Sequence, residues 1–209
     1  MKHTSKLLAA LLALALALCA LTGCGGKDSG TAETTLTEVR PSDIFTGDFP
    51  RVWFGSDADE LAKDKRPRNI VIVYDDHIKY CGKVDYYDGP LELTYGDIAK
   101  MSDEEIIARV ESGDIRSSNG NEVTIQDIPI TLHVYTDDSG NNARKEEITP
   151  EQNVFTVGQT FYPTPIYDVF FGGYYSYLGP DTGISWFTKC DQNTYFMLDT
   201  PDTPGIEVD

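Results

Sequence analysis

The most strand-like stretch of this chain reads Asn69-Ile70-Val71-Ile72-Val73-Tyr74. Its residues are nearly all β-branched or aromatic, which favours an extended conformation. Because apolar and polar side chains do not alternate, the pattern predicts a strand that is buried on both faces. Asp75-Asp76-His77 then predicts a turn, and residues 78–84 alternate loosely, as the second strand of a hairpin does. We therefore expect the fold to be built around a sheet.

A capping motif predicts one clear helix, from about Asp103 to Ser112. Ser102 and Glu105 have the spacing of a capping box, in which the two residues satisfy each other's free backbone N–H groups. A narrow apolar stripe follows, formed by Ile106, Ile107 and Val110. A stripe this narrow packs on a sheet rather than standing alone.

Further strands are predicted along the rest of the chain, at residues 51–54, 91–94, 122–125, 130–135, 174–177, 184–187 and 195–198. Residues 57–62 predict a short helix, and Gly172-Gly173 is expected to separate two strands. The turn formers at residues 137–142 predict a long hairpin. The fold class predicted is α+β, mainly antiparallel β with one well-capped helix packed on the sheet.

The N-terminus has the features of a secretory leader. Lys2 and Lys6 precede an apolar run at residues 7–21 that is shorter than a membrane span. The run ends in Leu21-Thr22-Gly23-Cys24, which resembles the lipobox of bacterial lipoproteins. The resemblance implies that residues 1–23 are removed and that Cys24 becomes the first residue and carries a diacylglyceryl lipid. An ordinary secretory leader with a chance cysteine is the alternative.

The leader predicts a protein held at the cell membrane by its lipid, on the extracytoplasmic face. Residues 24–43 are predicted to be a flexible tether, because Gly-Gly, Ser-Gly and Thr-rich sequence buries little apolar surface. Residues 44–199 are expected to form one β-rich extracytoplasmic domain, and residues 200–209, with Pro201 and Pro204, a loose tail.

The charge balance excludes some partners. The net charge of the chain is −17, and removal of residues 1–23 would take away two lysines and no acid, which leaves −19. Nucleic acid is excluded as a partner because phosphate contacts need clustered Lys and Arg. Electrostatic attachment to anionic lipid is also disfavoured, so the N-terminal lipid is expected to make the membrane contact.

Two cysteines, Cys81 and Cys190, remain in the folded part once the leader is removed. Outside the cytoplasm such a pair can form a disulfide. The alternative, equally weighted, is two small buried hydrophobic side chains.

Catalytic and metal motifs are sparse. The sequence has no Gly-x-Ser-x-Gly, phosphate loop or His-Glu-x-x-His motif. Asp137, Ser139 and Asn141 have calcium-loop spacing, but Asn142 replaces the turn glycine, so a hairpin tip is favoured. Asp75-Asp76-His77 suits a turn better than a metal site. We therefore predict no catalytic residues, no metal and no cofactor.

Aromatic residues are concentrated between residues 161 and 196. We single out Tyr174, Tyr175, Tyr177 and Trp186 as candidate binding aromatics, because exposed Tyr and Trp stack on sugars or anchor protein partners. A buried β core is the favoured alternative for most of them. The predicted function is a non-catalytic surface lipoprotein that binds a protein or an envelope glycan. The alternatives are an envelope hydrolase with paired carboxylates and a structural spacer or assembly component.

Overall fold

The computed structural model describes residues 36–46, 51–57, 61–82, 89–148, 156–177 and 183–209. Its central sheet has seven strands: β2 (Val52–Ser56), β3 (Asn69–Val73), β4 (His77–Gly82), β5 (Thr124–Pro129), β9 (Gln159–Ile166), β10 (Val169–Tyr177) and β11 (Gly183–Cys190). Every pair of neighbours is antiparallel, in the order β5-β4-β3-β2-β11-β10-β9. The predicted α+β fold, mainly antiparallel β, is confirmed.

Two smaller sheets and three helices complete the described structure. One sheet pairs β1 (Thr37–Val39) in parallel with β12 (Thr194–Phe196). The other contains β6 (His133–Thr136), β7 (Ala143–Glu147), β8 (Thr156–Val157) and β13 (Glu207–Val208), in the order β13-β6-β7-β8. The helices are α1 (Pro41–Thr46), α2 (Tyr95–Ile98) and α3 (Asp103–Glu111). Among the described residues, no helix is long and apolar enough to cross a membrane.

Both faces of the central sheet are covered, which explains why all of β3 is buried, as predicted. On the side that we call the helix face, sheet residues pack against α2 and α3; examples are Phe54, Ile70, Ile98, Ile106 and Val110. On the opposite side, which we call the sheet face, residues of the central sheet pack against residues of the two small sheets; examples are Trp53, Val71, Trp186, Val157 and Phe196.

The predicted helix is confirmed as α3. Ser102 Oγ accepts the N–H of Glu105 at 3.2 Å, and the Glu105 carboxylate accepts the N–H of Ser102 at 2.7 Å. Ile106 and Val110 are fully buried. The predicted hairpin is also confirmed, since β6 and β7 pair around residues 137–142. Asp137 sits at its tip and accepts the N–H of Ser139 at 3.0 Å, as expected of a turn.

Two local predictions are wrong. Residues 91–94 do not form a strand; Leu91 makes an isolated bridge to Ser117. Gly172-Gly173 does not separate strands but lies inside β10. A Cβ atom on Gly172 would lie 2.6 Å from the Phe196 ring, and one on Gly173 would collide with the carbonyl oxygen of Trp186. These glycines allow close packing rather than a turn. The predicted helix at residues 57–62 lies partly outside the described residues; Leu61 and Ala62 are not helical.

The predicted domain limits also need correction. The leader, Cys24 and residues 24–35 of the tether lie outside the described residues. Folded structure begins before residue 44, because β1 and α1 pack on the rest of the chain and Val39 is 1% exposed. The tail is not loose, since β13 pairs with β6 and Thr136 donates its N–H to Asp209 Oδ1 at 2.9 Å. Thr35–Asp209 form one compact unit.

The possible disulfide between Cys81 and Cys190 is not formed, and both thiols are free. Cys81 packs into the core on the helix face and Cys190 against the core on the sheet face. Their strands, β4 and β11, are separated by β3 and β2, a distance of about 14 Å at the usual strand spacing. That exceeds the reach of a disulfide. The two halves of the chain are joined by sheet pairing instead.

Candidate functional site

The four candidate binding aromatics do not share one environment. Tyr174 and Trp186 are at most 1% exposed. The hydroxyl of Tyr174 donates to the carbonyl oxygen of Val39 at 3.0 Å, so this tyrosine is part of the core. The favoured core interpretation is confirmed for both, since neither side chain is open to solvent. The side chain of Tyr177 lies outside the described residues. Tyr175 is half-buried and reaches the surface.

Tyr175 lines an open groove of about 470 Å³ between the four-stranded sheet and the β9–β10 side of the central sheet. The chain crosses between these two sheets at Gly158, whose N–H donates to the carbonyl oxygen of Tyr175 at 2.9 Å. The groove is therefore built by residues far apart in sequence. Its lining is Tyr135, Thr136, Arg144, Lys145, Gly158, Gln159, Tyr175 and Asp209.

One wall of the groove is fixed by three side chains that contact each other. The Tyr135 hydroxyl donates to Glu147 Oε2 at 3.0 Å, and Lys145 Nζ lies 2.6 Å from Glu147 Oε1. The same ammonium lies 4.0 Å from the centroid of the Tyr135 ring. The hydrogen bond to Glu147 raises the pKa of Tyr135, so the phenol stays neutral. The ring is thus held in place before any ligand arrives.

A carboxylate, that of Asp209, also lines the groove, next to Thr136. Asp209 Oδ1 accepts the backbone N–H of Thr136 at 2.9 Å and its hydroxyl at 3.1 Å. These hydrogen bonds, the backbone one most strongly, lower the pKa of Asp209, so the group is ionised at neutral pH. Its remaining oxygen can accept hydrogen bonds from hydroxyl groups of a ligand.

A second carboxyl pair lies in the interior. Glu146 is fully buried, and Asp199 is 1% exposed. Burial, followed by the charge of Asp199, raises the pKa of Glu146 to about 9. The N–H of Asp199 donates to Glu146 at 3.2 Å, and Asp199 accepts the N–H of Ser42 at 2.8 Å. A perturbed carboxyl can mark an active site, but this pair is sealed from solvent. It ties α1 to the segment that follows β12.

Among the described residues, the other side chains with potential catalytic or metal-binding chemistry are not grouped into one site. Burial raises the pKa of Cys81 to about 12 and that of Cys190 to about 11, so neither thiol is a ready nucleophile. His77, the first residue of β4, contacts Asp76 at 2.7 Å. Within the described ranges, no group of three or more His, Cys, Asp or Glu side chains is placed to hold a metal ion.

No protein-family model, no curated protein and no solved structure matches this chain. The groove therefore has to be interpreted from its own residues. Sequence reasoning identified Tyr175 but missed Tyr135, Arg144, Gln159 and Asp209. No local signal marks these residues, because the groove exists only where β6, β7, β9 and the end of β13 meet.

Proposed function

We propose that this chain is a non-catalytic surface lipoprotein, held to the membrane by a lipid on Cys24, that binds an envelope glycan in the groove. The observation that carries the proposal is the placement of two tyrosine rings, Tyr135 and Tyr175, in one open groove with hydrogen-bonding side chains around them. The lipobox-like motif Leu21-Thr22-Gly23-Cys24 supports the location.

A glycan suits this lining better than a protein does. Sugar rings have apolar faces that stack on aromatic rings and hydroxyl groups that need donors and acceptors. The groove offers both, since Gln159 supplies an amide, Thr136 a hydroxyl and Asp209 a carboxylate. Protein interfaces depend instead on a desolvated apolar centre. The volume of about 470 Å³ is in the range of small-ligand sites.

The hydrolase alternative has little support. Glycoside cleavage needs two carboxyl groups that both reach the substrate. The carboxyl with the strongly raised pKa, Glu146, is fully buried together with its neighbour Asp199. Asp209 does lie in the groove, but hydrogen bonds lower its pKa, which does not suit a general acid. A binding function is the better match.

Binding measurements on the mature, detergent-solubilised protein test the groove. Tyr135→Ala and Tyr175→Ala should each weaken binding of envelope polysaccharide by roughly two- to tenfold, through loss of stacking. Tyr162→Ala is the matched control, because Tyr162 is 78% exposed and lies outside the groove lining. Polysaccharide binding that is unchanged in both groove variants, or no binding by the unmutated protein, would contradict the proposal. Capture of a protein instead would favour the other partner class.

Membrane attachment has its own test. Replacement of Cys24 by Ala should leave an unprocessed precursor or release the protein from membranes, because the thiol that receives the lipid is gone. Mass spectrometry of the membrane fraction should find a diacylglyceryl group on Cys24 of the unmutated protein. A Cys24→Ala protein that is still cleaved and membrane-held with its lipid would refute the anchor.

A further inference from the structure

A β-bulge places Arg144 in the groove. In the β6–β7 pair, Tyr135 lies opposite Lys145 and Thr136 opposite Ala143, so Arg144 is the extra residue between the two pairs. Bulges of this kind re-aim a side chain away from the regular alternation of a strand. Arg144 is exposed and lines the groove. Its position therefore depends on an irregularity that a regular hairpin would not have.

The other charged groups of the groove already have partners. Lys145 Nζ lies 2.6 Å from Glu147 Oε1, and Asp209 accepts two hydrogen bonds from Thr136. The Arg144 guanidinium, in contrast, makes no salt bridge or hydrogen bond to any residue that the structure describes. An arginine presents its donors in a planar fork that matches a carboxylate through two parallel hydrogen bonds.

We propose that the ligand of the groove is an acidic glycan and that Arg144 selects it by pairing with the carboxylate of a uronic acid residue. This inference rests on the proposed function, because it assumes that the groove binds a glycan. In this arrangement Tyr135 and Tyr175 contact the sugar faces, and Asp209, which also lines the groove, accepts sugar hydroxyls. The assignment is notable in a chain of net charge −17, which would otherwise repel an acidic polymer.

The test compares oligosaccharides that differ at C6, where each acidic sugar carries a carboxylate and its neutral partner a hydroxymethyl group. Trimers of galacturonic, glucuronic and mannuronic acid are paired with trimers of galactose, glucose and mannose, and calorimetry on the mature, detergent-solubilised protein measures each affinity. At least one acidic trimer should bind about tenfold or more tightly than its neutral partner, as charge-assisted hydrogen bonds give. The preference should shrink as salt is raised, because the groove is open to solvent.

Variants assign the preference to Arg144. Arg144→Gln should remove the preference for the acidic trimer while the neutral trimer binds as before. Arg144→Lys should keep only part of it, since an ammonium carries the charge without the fork. Arg51→Gln is the matched control, because Arg51 is an exposed arginine that does not line the groove. Thermal unfolding of each variant checks that the fold is intact.

The outcomes separate the two proposals. Equal binding of acidic and neutral trimers by the unmutated protein would overturn the acidic-glycan inference and leave glycan binding standing. A preference that survives in Arg144→Gln would overturn the role of Arg144. Binding of none of the six trimers, together with no binding of envelope polysaccharide, would overturn the proposed function itself.

Discussion

The two faces of the central sheet are covered in different ways. The helix face is covered by α2 and α3, which together span only residues 95–111. Each of these helices begins with a capping box. The sheet face is covered by β1, α1, β8 and β12, which come from both ends and the middle of the chain. The cover of the helix face is thus specified by neighbours in sequence, whereas the cover of the sheet face forms only when distant segments of the chain come together.

The two covers also differ in what they bury. The core of the helix face holds Cys81 and the fully buried tyrosine Tyr95 among aliphatic and phenylalanine side chains. The sheet-face cover includes the buried carboxyl pair of Glu146 and Asp199 and a tyrosine, Tyr174, that bonds to backbone carbonyls. The groove lies beside this second cover: Gly158, which lines the groove, directly follows β8, and Arg144 and Lys145 lie in the same strand as Glu146. The buried carboxyl pair and the groove therefore lie on the same side of the central sheet, the side that is assembled from segments distant in sequence.

The largest expected effect is a pH dependence between pH 5 and 9 that comes from Glu146 on the sheet face. The pKa of Glu146 is about 9 in the folded protein against an ordinary value of 4.5. Its contribution to stability is therefore fully present below pH 4.5 and is lost as pH rises to about 9, because the unfolded chain ionises first. The upper limit is about 6 kcal/mol, at 1.36 kcal/mol per unit.

Glu146→Gln should flatten this dependence, since an amide of the same shape does not titrate. Urea unfolding at pH 5, 7 and 9 measures it: the variant should gain stability over the unmutated protein at pH 7 and more at pH 9, with little difference at pH 5. Parallel stability curves for the two proteins would mean that Glu146 ionises normally. The helix face would then not differ from the sheet face in this respect.

This contrast explains which parts of the fold could be predicted from sequence. β3 and α3 were predicted because their signals, a run of β-branched residues and a capping box, are local. The packing role of Gly172-Gly173 could not be predicted, because it depends on Trp186 and Phe196 in other strands. Tyr174 and Tyr175 are adjacent in sequence, yet one is core and the other lines the groove.

The groove was beyond sequence reasoning for the same reason. Arg144 occupies its position because of a bulge between β6 and β7, and Asp209 because β13 pairs in parallel with β6 across more than 70 residues. The tail carried Pro201 and Pro204, a composition that predicts a loose segment. Long-range strand pairing overrides that composition, and only the assembled sheets show it.

A smaller effect is expected from cavities under α3. Ile106 is fully buried in the helix-face core, whereas its neighbour Ile107 is only partly buried. Ile106→Ala should cost about 2–5 kcal/mol of unfolding free energy, and Ile107→Ala clearly less. The two changes remove the same atoms, so each is the other's control in urea unfolding at pH 5, where Glu146 contributes no difference. Equal costs would show that the stripe of α3 does not face the sheet.

The smallest effect is expected from a helix cap. Ser102 Oγ accepts the N–H of Glu105, three residues away, whereas the N–H of Ser42 in α1 donates to the carboxylate of Asp199, 157 residues away. Ser102→Ala should cost roughly 1 kcal/mol, because one N–H at the start of α3 loses its acceptor. Ser118→Ala, an exposed loop serine, is the control and should cost nearly nothing. Hydrogen exchange should locate the loss in the first turn of α3 and leave the sheet-face segments protected. If exchange instead rose equally across β1 and β12, the helix-face cover would not be the locally specified one.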